Sequence, residues 1–205
     1  MKILLVDDHP VVRAGLRQLL AAALPATVCE AAEGREAMAM ARREQPDLIV
    51  LDLNLPGIGG VELIRRLLQQ DAAMRVLVLT MHVAPHYAAR ALQAGAKGYV
   101  SKNAPPEELL TALRRIAAGG HYVETEIAQA LALQGGTAAD PLQRLSERDV
   151  EMLRLLAEGR SLAEIAAALG LGYKTVANAL TQIKATLGVA STVDLVRMAI
   201  AMGVA

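Results

Sequence analysis

The chain has 205 residues, 54% of them apolar, and 21 basic against 21 acidic side chains. This is enough to bury one substantial core and a second small one, while a formal net charge of +0 offers no global attraction to nucleic acid or membrane, so such binding must rest on a local patch. Cys29 is the only cysteine, which excludes a disulfide framework and a cysteine metal cluster; the apolar run Met1 to Val6 meets Asp7 and Asp8 too soon for a signal peptide, no later stretch reaches membrane-spanning length, and a reducing cytoplasm with no membrane partner is expected.

Taken in order, the first part of the chain alternates between strand and helix periods. Ile3 to Val6 reads as a buried strand, and Pro10 to Ala23 as a helix with Val11, Val12, Leu16, Leu19 and Leu20 on its apolar side. Thr27 to Ala31 is a weaker strand and Arg35 to Gln45 a helix. Asp47 to Gly57 then holds an unbroken apolar run that ends in Asp52 and a Pro-Gly turn, the pattern of a parallel strand buried on both faces. A helix from Gly60 to Gln70, a strand from Arg75 to Thr80 and a helix from Pro85 to Ala94 follow. The strand Gly98 to Val100 runs into Ser101 and Lys102, and a helix from Pro106 to Ala118 stops at Gly119-Gly120. Successive βα units predict an α/β doubly wound, flavodoxin-like (βα)5 domain with a five-stranded parallel sheet over residues 1–119.

In the 2-1-3-4-5 strand order common to such sheets, strands one and three are neighbours, and ligands bind outside the carboxyl ends of the strands. Asp7 and Asp8 then lie within reach of Asp52. Like charges at about 4 Å repel by roughly 4 kcal/mol at an effective dielectric near 20, a cost that a hard divalent cation such as Mg2+ resolves. Thr80 and Lys102 bring a hydroxyl and an ammonium to the same edge. A carboxylate nucleophile, a metal site, a hydroxyl and a fixed cation together suit phosphoryl transfer onto Asp52. Singly, each has a plainer account: Asp52 as a turn cap, Asp7-Asp8-His9-Pro10 as a helix cap, Thr80 as a strand end, Tyr99 as core, Lys102 as a solvated charge. Jointly those accounts need coincidences at several different strand ends.

Asp7-Asp8, Asp52, Thr80 and Lys102, each at its own strand end, resemble the signature of the receiver domain of two-component response regulators. The resemblance implies that Asp52 accepts a phosphoryl group from a sensor histidine kinase. It also implies that Asp7, Asp8, Asp52 and the backbone carbonyl of Asn54 hold Mg2+, and that Lys102 and Thr80 stabilise the phosphoryl oxygens. Tyr99 matches an aromatic switch whose ring follows the hydroxyl inward, and Asn54 and His82 occupy positions that tune dephosphorylation. Lys102 is followed by Asn103-Ala104 rather than by proline, so a cis-proline turn there is not available to this chain. No separate substrate is expected, so the chain is not read as an enzyme.

Residues 120–143 carry breakers, Gly135-Gly136-Thr137 and Asp140-Pro141, around one short helical pattern from Glu126 to Leu133. They read as a linker with an embedded helix that adds to neither core. Residues 144–205 are helical throughout. Ser146 with Asp149 resembles a capping box, Ser161 caps a second helix, and Gly170-Leu171-Gly172 turns into a third helix, Tyr173 to Leu187, with a fourth starting at Ser191. A short helix, a glycine turn and a longer helix form a helix-turn-helix. Val176, Leu180, Ile183 and Leu187 make its buried stripe, leaving Lys174, Thr175, Ala177, Asn178, Thr181, Gln182 and Lys184 as candidate DNA contacts.

Leu145-Ser146-Glu147-Arg148, Glu164-Ile165-Ala166 and Lys174-Thr175-Val176 resemble the LuxR-type output domain, which makes the whole chain look like a NarL/FixJ-type response regulator. This implies an all-α four-helix DNA-binding domain, double-stranded DNA with an inverted-repeat site as partner, and a homodimer on phosphorylation. The strip Val193, Val196, Ala199 and Ile200 is the candidate dimer face. Relatives usually carry cations where this chain has Ala177, Ala179, Thr181 and Thr186. Two other readings therefore stand beside the regulator: a receiver whose helical domain binds protein, and a Mg2+-dependent phosphohydrolase suggested by the acidic cluster alone.

Overall fold

A computed structural model describes residues 1–134, 145–201 and 204. The chain divides into two compact units, Met1–Gly136 and Thr137–Ala205.

The first unit is a parallel sheet of β1 (Lys2–Val6), β2 (Thr27–Ala31), β3 (Leu48–Leu51), β4 (Val76–Thr80), β5 (Gly98–Ser101) and β6 (Tyr122–Val123). It alternates with α1 (Pro10–Ala23), α2 (Gly34–Glu44), α3 (Gly60–Gln70), α4 (Pro85–Gln93), α5 (Pro106–Ala117) and α6 (Thr125–Gln134). The strand order is β2-β1-β3-β4-β5-β6. In register, Val6 pairs with Leu51 and Thr80 with Ser101. The side-chain period of two along each strand splits the core in two. Leu4, Val6, Ile49, Leu51, Val76 and Val78 pack against α2, α3 and α4 through residues such as Ala41, Ile64, Leu67 and Ala91. Ile3, Leu5, Val50, Leu77 and Leu79 face the other way, onto Leu20 of α1 and Leu109, Leu113 and Ile116 of α5. Strands buried on both faces explain why their sequences read as unbroken apolar runs rather than alternation.

The predicted five-stranded sheet needs correction, because β6 adds a sixth strand alongside β5. The expectation that residues after 119 add to neither core is corrected with it. Ile127 of α6 is buried in the same cluster as Tyr99, Ala88 and Ala91, and Leu131 packs against that cluster. A two-residue strand carries no measurable period, and one buried isoleucine per helix gives a weak apolar stripe. What holds β6 in place is the unpaired backbone edge of β5, which a sequence does not display.

The second unit holds α7 (Glu147–Ala157), α8 (Leu162–Ala168), α9 (Tyr173–Leu187) and α10 (Thr192–Ala201). Ser146 with Asp149 and Ser161 with Glu164 form reciprocal capping boxes, each satisfying backbone donors that a helix start leaves orphaned. Gly188 ends α9 at φ 70, in the left-handed region where glycine has no steric penalty. Val150, Leu153, Ile165, Val176, Leu180, Ile183, Leu195 and Ala199 fill a small separate core. Among the described residues, no helix is long and apolar enough to cross a membrane.

Candidate phosphoacceptor site and helix-turn-helix face

The site lies where β1, β3, β4 and β5 end together. Asp52 follows β3 directly and Asp7 follows β1, and the pairing of those strands puts both carboxylates at one edge, 3% and 1% exposed. Backbone bonds fix their placement: Asp52 N–H donates to the Val6 carbonyl at 2.9 Å, and Lys102 N–H to the Thr80 carbonyl at 2.9 Å. Lys102 Nζ lies 2.6 Å from Asp52 Oδ2 and 2.6 Å from Asp7 Oδ2, so one ammonium bridges two buried carboxylates. Burial, the largest single influence, pulls the Lys102 pKa down. The hydrogen bonds and charges of Asp52 and Asp7 outweigh it, and the ammonium is held above its ordinary value.

Asp7, Asp8, His9 and Asp52 each place one ligand atom so that all lie within 4.8 Å of one another. Asp7 Oδ2 pairs with Lys102 at 2.6 Å and Asp8 Oδ1 with His9 Nδ1 at 2.7 Å, and each carboxylate oxygen keeps a further lone pair. A close set of carboxylate oxygens with spare lone pairs fits a divalent cation.

Thr80 is fully buried, and its Oγ1 accepts the His82 N–H at 3.4 Å. The His82 carbonyl accepts the Tyr99 hydroxyl at 2.7 Å. Tyr99 is itself fully buried, so its ring is already inward in this structure, where the resemblance describes a ring that follows the hydroxyl in. Burial, then the neighbouring Tyr87, Asp52 and Glu124, hold its hydroxyl far above the usual tyrosine range, as a neutral donor. Asn54 donates its backbone N–H to Asp52 Oδ1 at 3.2 Å, and its Oδ1 lies 2.8 Å from His82 Nε2. The His82 ring stacks on Tyr87 with centroids 4.2 Å apart.

Sequence reasoning missed three partners of this site. His9 Nδ1 lies 2.7 Å from Asp8 Oδ1. Arg13 Nη1 donates to the Asp7 carbonyl at 2.6 Å. Glu124 Oε2 accepts the Ser101 N–H at 2.6 Å, beside Lys102. His9 sits next to the acidic pair and was legible from adjacency, whereas Arg13 and Glu124 are brought in by helix phase and by β6.

In the second unit, Lys174, Thr175, Asn178, Thr181 and Gln182 are exposed on α9, with Ala177 and Lys184 half-buried beside them. The Thr181 hydroxyl donates to the Ala177 carbonyl at 3.0 Å, which turns it partly back onto its own helix. Of the proposed dimer strip, Val193 and Ile200 are exposed and Val196 is half-buried, but Ala199 is fully buried. Ala199 therefore leaves the strip: with Leu195, one turn earlier, it forms the face of α10 that covers the unit's own core.

A doubly wound domain with a lysine-bridged acidic pair and a buried hydroxyl at adjacent strand ends, followed by a separate helix-turn-helix unit, defines a phosphoacceptor signalling domain joined to an output module. Comparison with known proteins agrees. Residues 3–114 match the family described as "Response regulator receiver domain", and residues 143–199 match "Bacterial regulatory proteins, luxR family". The chain is 42% identical over 210 residues to the transcriptional activator protein ExaE of Pseudomonas putida, covering 99% of this chain and 97% of that one. It is 34% identical to the response regulator UvrY of Escherichia coli strain K12, covering 99% of this chain and 95% of that one. Among solved structures, a LuxR-family two-component response regulator from Aurantimonas sp. SI85-9A1 superposes with a TM-score of 0.64 at 43% identity, over 66% of this chain and 98% of that one. The two-component response regulator RcsB, in a structure described as a complex with DNA, gives 0.61 at 26% identity over 96% of each chain. The chain belongs to the response regulators of NarL/FixJ type, a receiver domain joined to a LuxR-type domain.

Proposed function

We propose that the chain is a phosphorylation-controlled, DNA-binding transcriptional regulator of a two-component system, and that Asp52 accepts the phosphoryl group from a sensor histidine kinase. The observation that carries the reading is the Lys102 ammonium held 2.6 Å from both Asp52 and Asp7. It fixes a positive charge where the charge of a transferring phosphoryl group develops, without reorganisation at the moment of reaction.

In the transfer, an Asp52 oxygen forms a bond to phosphorus as the bond from phosphorus to the donor histidine nitrogen breaks. Lys102 is already anchored and pairs with the phosphoryl oxygens. Thr80 turns its hydroxyl from the His82 N–H, a long contact of 3.4 Å and therefore a cheap one to give up, to donate to a phosphoryl oxygen. Asp7, Asp8, Asp52 and the Asn54 backbone carbonyl would hold Mg2+, which supplies neutralising charge when bound. Asn54 and His82, joined over Asp52 at 2.8 Å, control access of water to the phosphoaspartate and so its lifetime.

Loss of the Thr80 contact releases the loop whose His82 carbonyl receives the Tyr99 hydroxyl, and that linkage carries the state of Asp52 to Tyr99. A shift from 1:99 to 99:1 needs about 5.5 kcal/mol of differential stabilisation, more than one hydrogen bond provides. Lys102, Thr80 and the cation therefore act jointly. The output is α9 in the major groove of an inverted-repeat site, with Lys174, Thr175, Ala177, Asn178, Thr181, Gln182 and Lys184 toward DNA. Val193, Val196 and Ile200 pair two copies. A cytoplasmic location follows from that role.

The test is selection of genomic DNA fragments by the purified chain with and without Mg2+ and beryllofluoride, together with labelled phosphoryl transfer to wild type and Asp52→Asn. Enrichment of an inverted repeat that depends on the mimic, and no label on Asp52→Asn, are expected. Label retained on Asp52→Asn overturns the phosphoacceptor. No enrichment despite modified Asp52 moves the output to protein binding, which the scarcity of cations on α9 favours.

A further inference from the structure

We propose that Glu124 is a positioning residue of the phosphoryl-transfer site, and that phosphorylation of Asp52 in turn tightens the hold of β5 on the segment β6–α6. The inference rests on the reading of Asp52 as the phosphoacceptor and adds the regulation of that site. Glu124 falls between residues 3–114, which match the receiver family, and residues 143–199, which match the LuxR-type family. β6 is only Tyr122–Val123, in register with Gly98 and Tyr99 of β5. The Tyr122 N–H donates to the Lys97 carbonyl at 3.0 Å and the Glu124 N–H to the Tyr99 carbonyl at 3.0 Å. Backbone groups two residues apart on a strand face the same neighbour, so the N–H of Ser101 is the next to point toward β6, beyond the point where β6 ends. Ser101 is 2% exposed, and a buried N–H needs a partner. The Glu124 carboxylate stands in for a third strand carbonyl: the Ser101 N–H donates to its Oε2 at 2.6 Å, a charge-assisted bond.

That bond acts on Lys102 through one peptide unit. The Lys102 N–H donates in the opposite direction, to the Thr80 carbonyl at 2.9 Å, and the N–H groups of Asn103 and Ala104 fold back onto Ser101 Oγ and the Ser101 carbonyl at 3.1 Å each. The end of β5 is thus gripped by β4 on one side and by Glu124 on the other. From this end Lys102 reaches Asp52 and Asp7 at 2.6 Å. Glu124 touches none of the reacting atoms; it sets the point from which the ammonium reaches them, and small misplacement of such a group is costly. The rest of the segment is anchored by the Tyr122 hydroxyl, which donates to Glu108 Oε1 at 2.9 Å, and by Ile127, buried in the cluster that holds Tyr99. A coupling between two equilibria is reciprocal. Docking of Glu124 favours the site with its phosphoryl group, so occupancy of Asp52 favours the docked segment by the same factor, and the state of the acceptor reaches the chain that leads toward the second unit.

The experiment uses the full-length chain with saturating Mg2+ and beryllofluoride as the probe. Affinity for the probe is read by fluorine NMR, and amide exchange over residues 122–131 by mass spectrometry. The chains compared are wild type, Glu124→Ala, Glu124→Gln, Glu126→Ala and Asp52→Asn. Glu124→Ala should weaken beryllofluoride by about fivefold or more, the lower end of the usual coupling between sites. Glu124→Gln keeps an acceptor for the Ser101 N–H without the charge and should recover part of that loss, while Glu126→Ala, at an exposed position of α6, should match wild type. Beryllofluoride should slow exchange over residues 122–131 in wild type and have no such effect in Glu124→Ala. Unchanged affinity in folded Glu124→Ala, an equal loss in Glu126→Ala, or Glu124→Gln no better than Glu124→Ala overturns the inference. So does unchanged or faster exchange in wild type with the probe bound, a result that requires no variant to fold. Asp52→Asn separates the two readings. If it binds the probe as wild type does, the phosphoacceptor reading fails; if it loses the probe while Glu124→Ala keeps wild-type affinity, only the Glu124 inference fails.

Discussion

At the carboxyl edge of the sheet, Asp7, Asp52 and Lys102 come from three different strand ends and meet at 2.6 Å with little exposure to solvent. On α9, the candidate contacts come from one helix and stand largely in solvent, with Lys174 and Lys184 as its cations. In the first region the charges are desolvated, so each depends on the others and their geometry is set before any ligand arrives. In the second region the side chains are hydrated and nearly independent, so a partner must supply the order. The receiver site is thus a cooperative device whose parts fail together, and the helical face is additive.

The largest test of that contrast is Lys102→Met, which keeps the volume but leaves Asp7 and Asp52 facing each other unpaired. It should cost roughly 3–5 kcal/mol at neutral pH, the usual penalty for breaking a buried pair, read by urea denaturation. A loss under about 1 kcal/mol would mean that the pair is effectively solvated. Next comes Gly60→Ala at the start of α3, where an added Cβ would sit 2.4 Å from Leu53 Cα and 2.9 Å from its carbonyl oxygen. Backbone cannot yield as a side chain tip can, and the overpacking should cost about 1–3 kcal/mol in thermal or urea unfolding. It should also weaken phosphoryl uptake, because Leu53 adjoins Asp52.

On the additive side, Lys174→Ala should alter stability by less than about 0.5 kcal/mol and lower the slope of log affinity against log salt by about 1. A stability loss as large as that of Lys102→Met would abolish the contrast. The smallest effect concerns the cap of α8. The Ser161 hydroxyl and backbone N–H hold the Glu164 carboxyl below its ordinary value. A carboxyl lowered in the folded state contributes stability above its unfolded pKa and loses it as pH falls through the folded one. Wild type should therefore exceed Glu164→Gln in thermal stability at neutral pH and converge with it below pH 4.5. A constant gap across that range would assign the effect to packing.

Much of the first unit was legible in the sequence because each strand is a short apolar run ending in one polar residue. Asp52, Thr80 and Lys102 could be placed at strand ends from periodicity and breakers alone, and chain crossover rules put those ends at one edge. The capping boxes at Ser146 and Ser161 were similarly local, since a cap needs only a residue and its neighbour three positions on. The exposed side of α9 followed from helical phase. The dimer strip did not: phase puts Val196, Ala199 and Ile200 close together, but only the packing of α10 on α7 decides that Ala199 is covered while Val193 and Ile200 remain outside.

The sequence by itself determined the order of the first five βα units, the helical character of the second unit and the set of charged residues destined for one sheet edge. These depend on local periodicity, on turn residues and on the handedness of connections. The tertiary structure alone decided the sixth strand, the docking of α6 through Ile127, the inward seat of Tyr99 on the His82 carbonyl and the Glu124 bond to Ser101. Each of those depends on an open strand edge or a buried surface that exists only after distant segments have packed, and no window of sequence contains both partners.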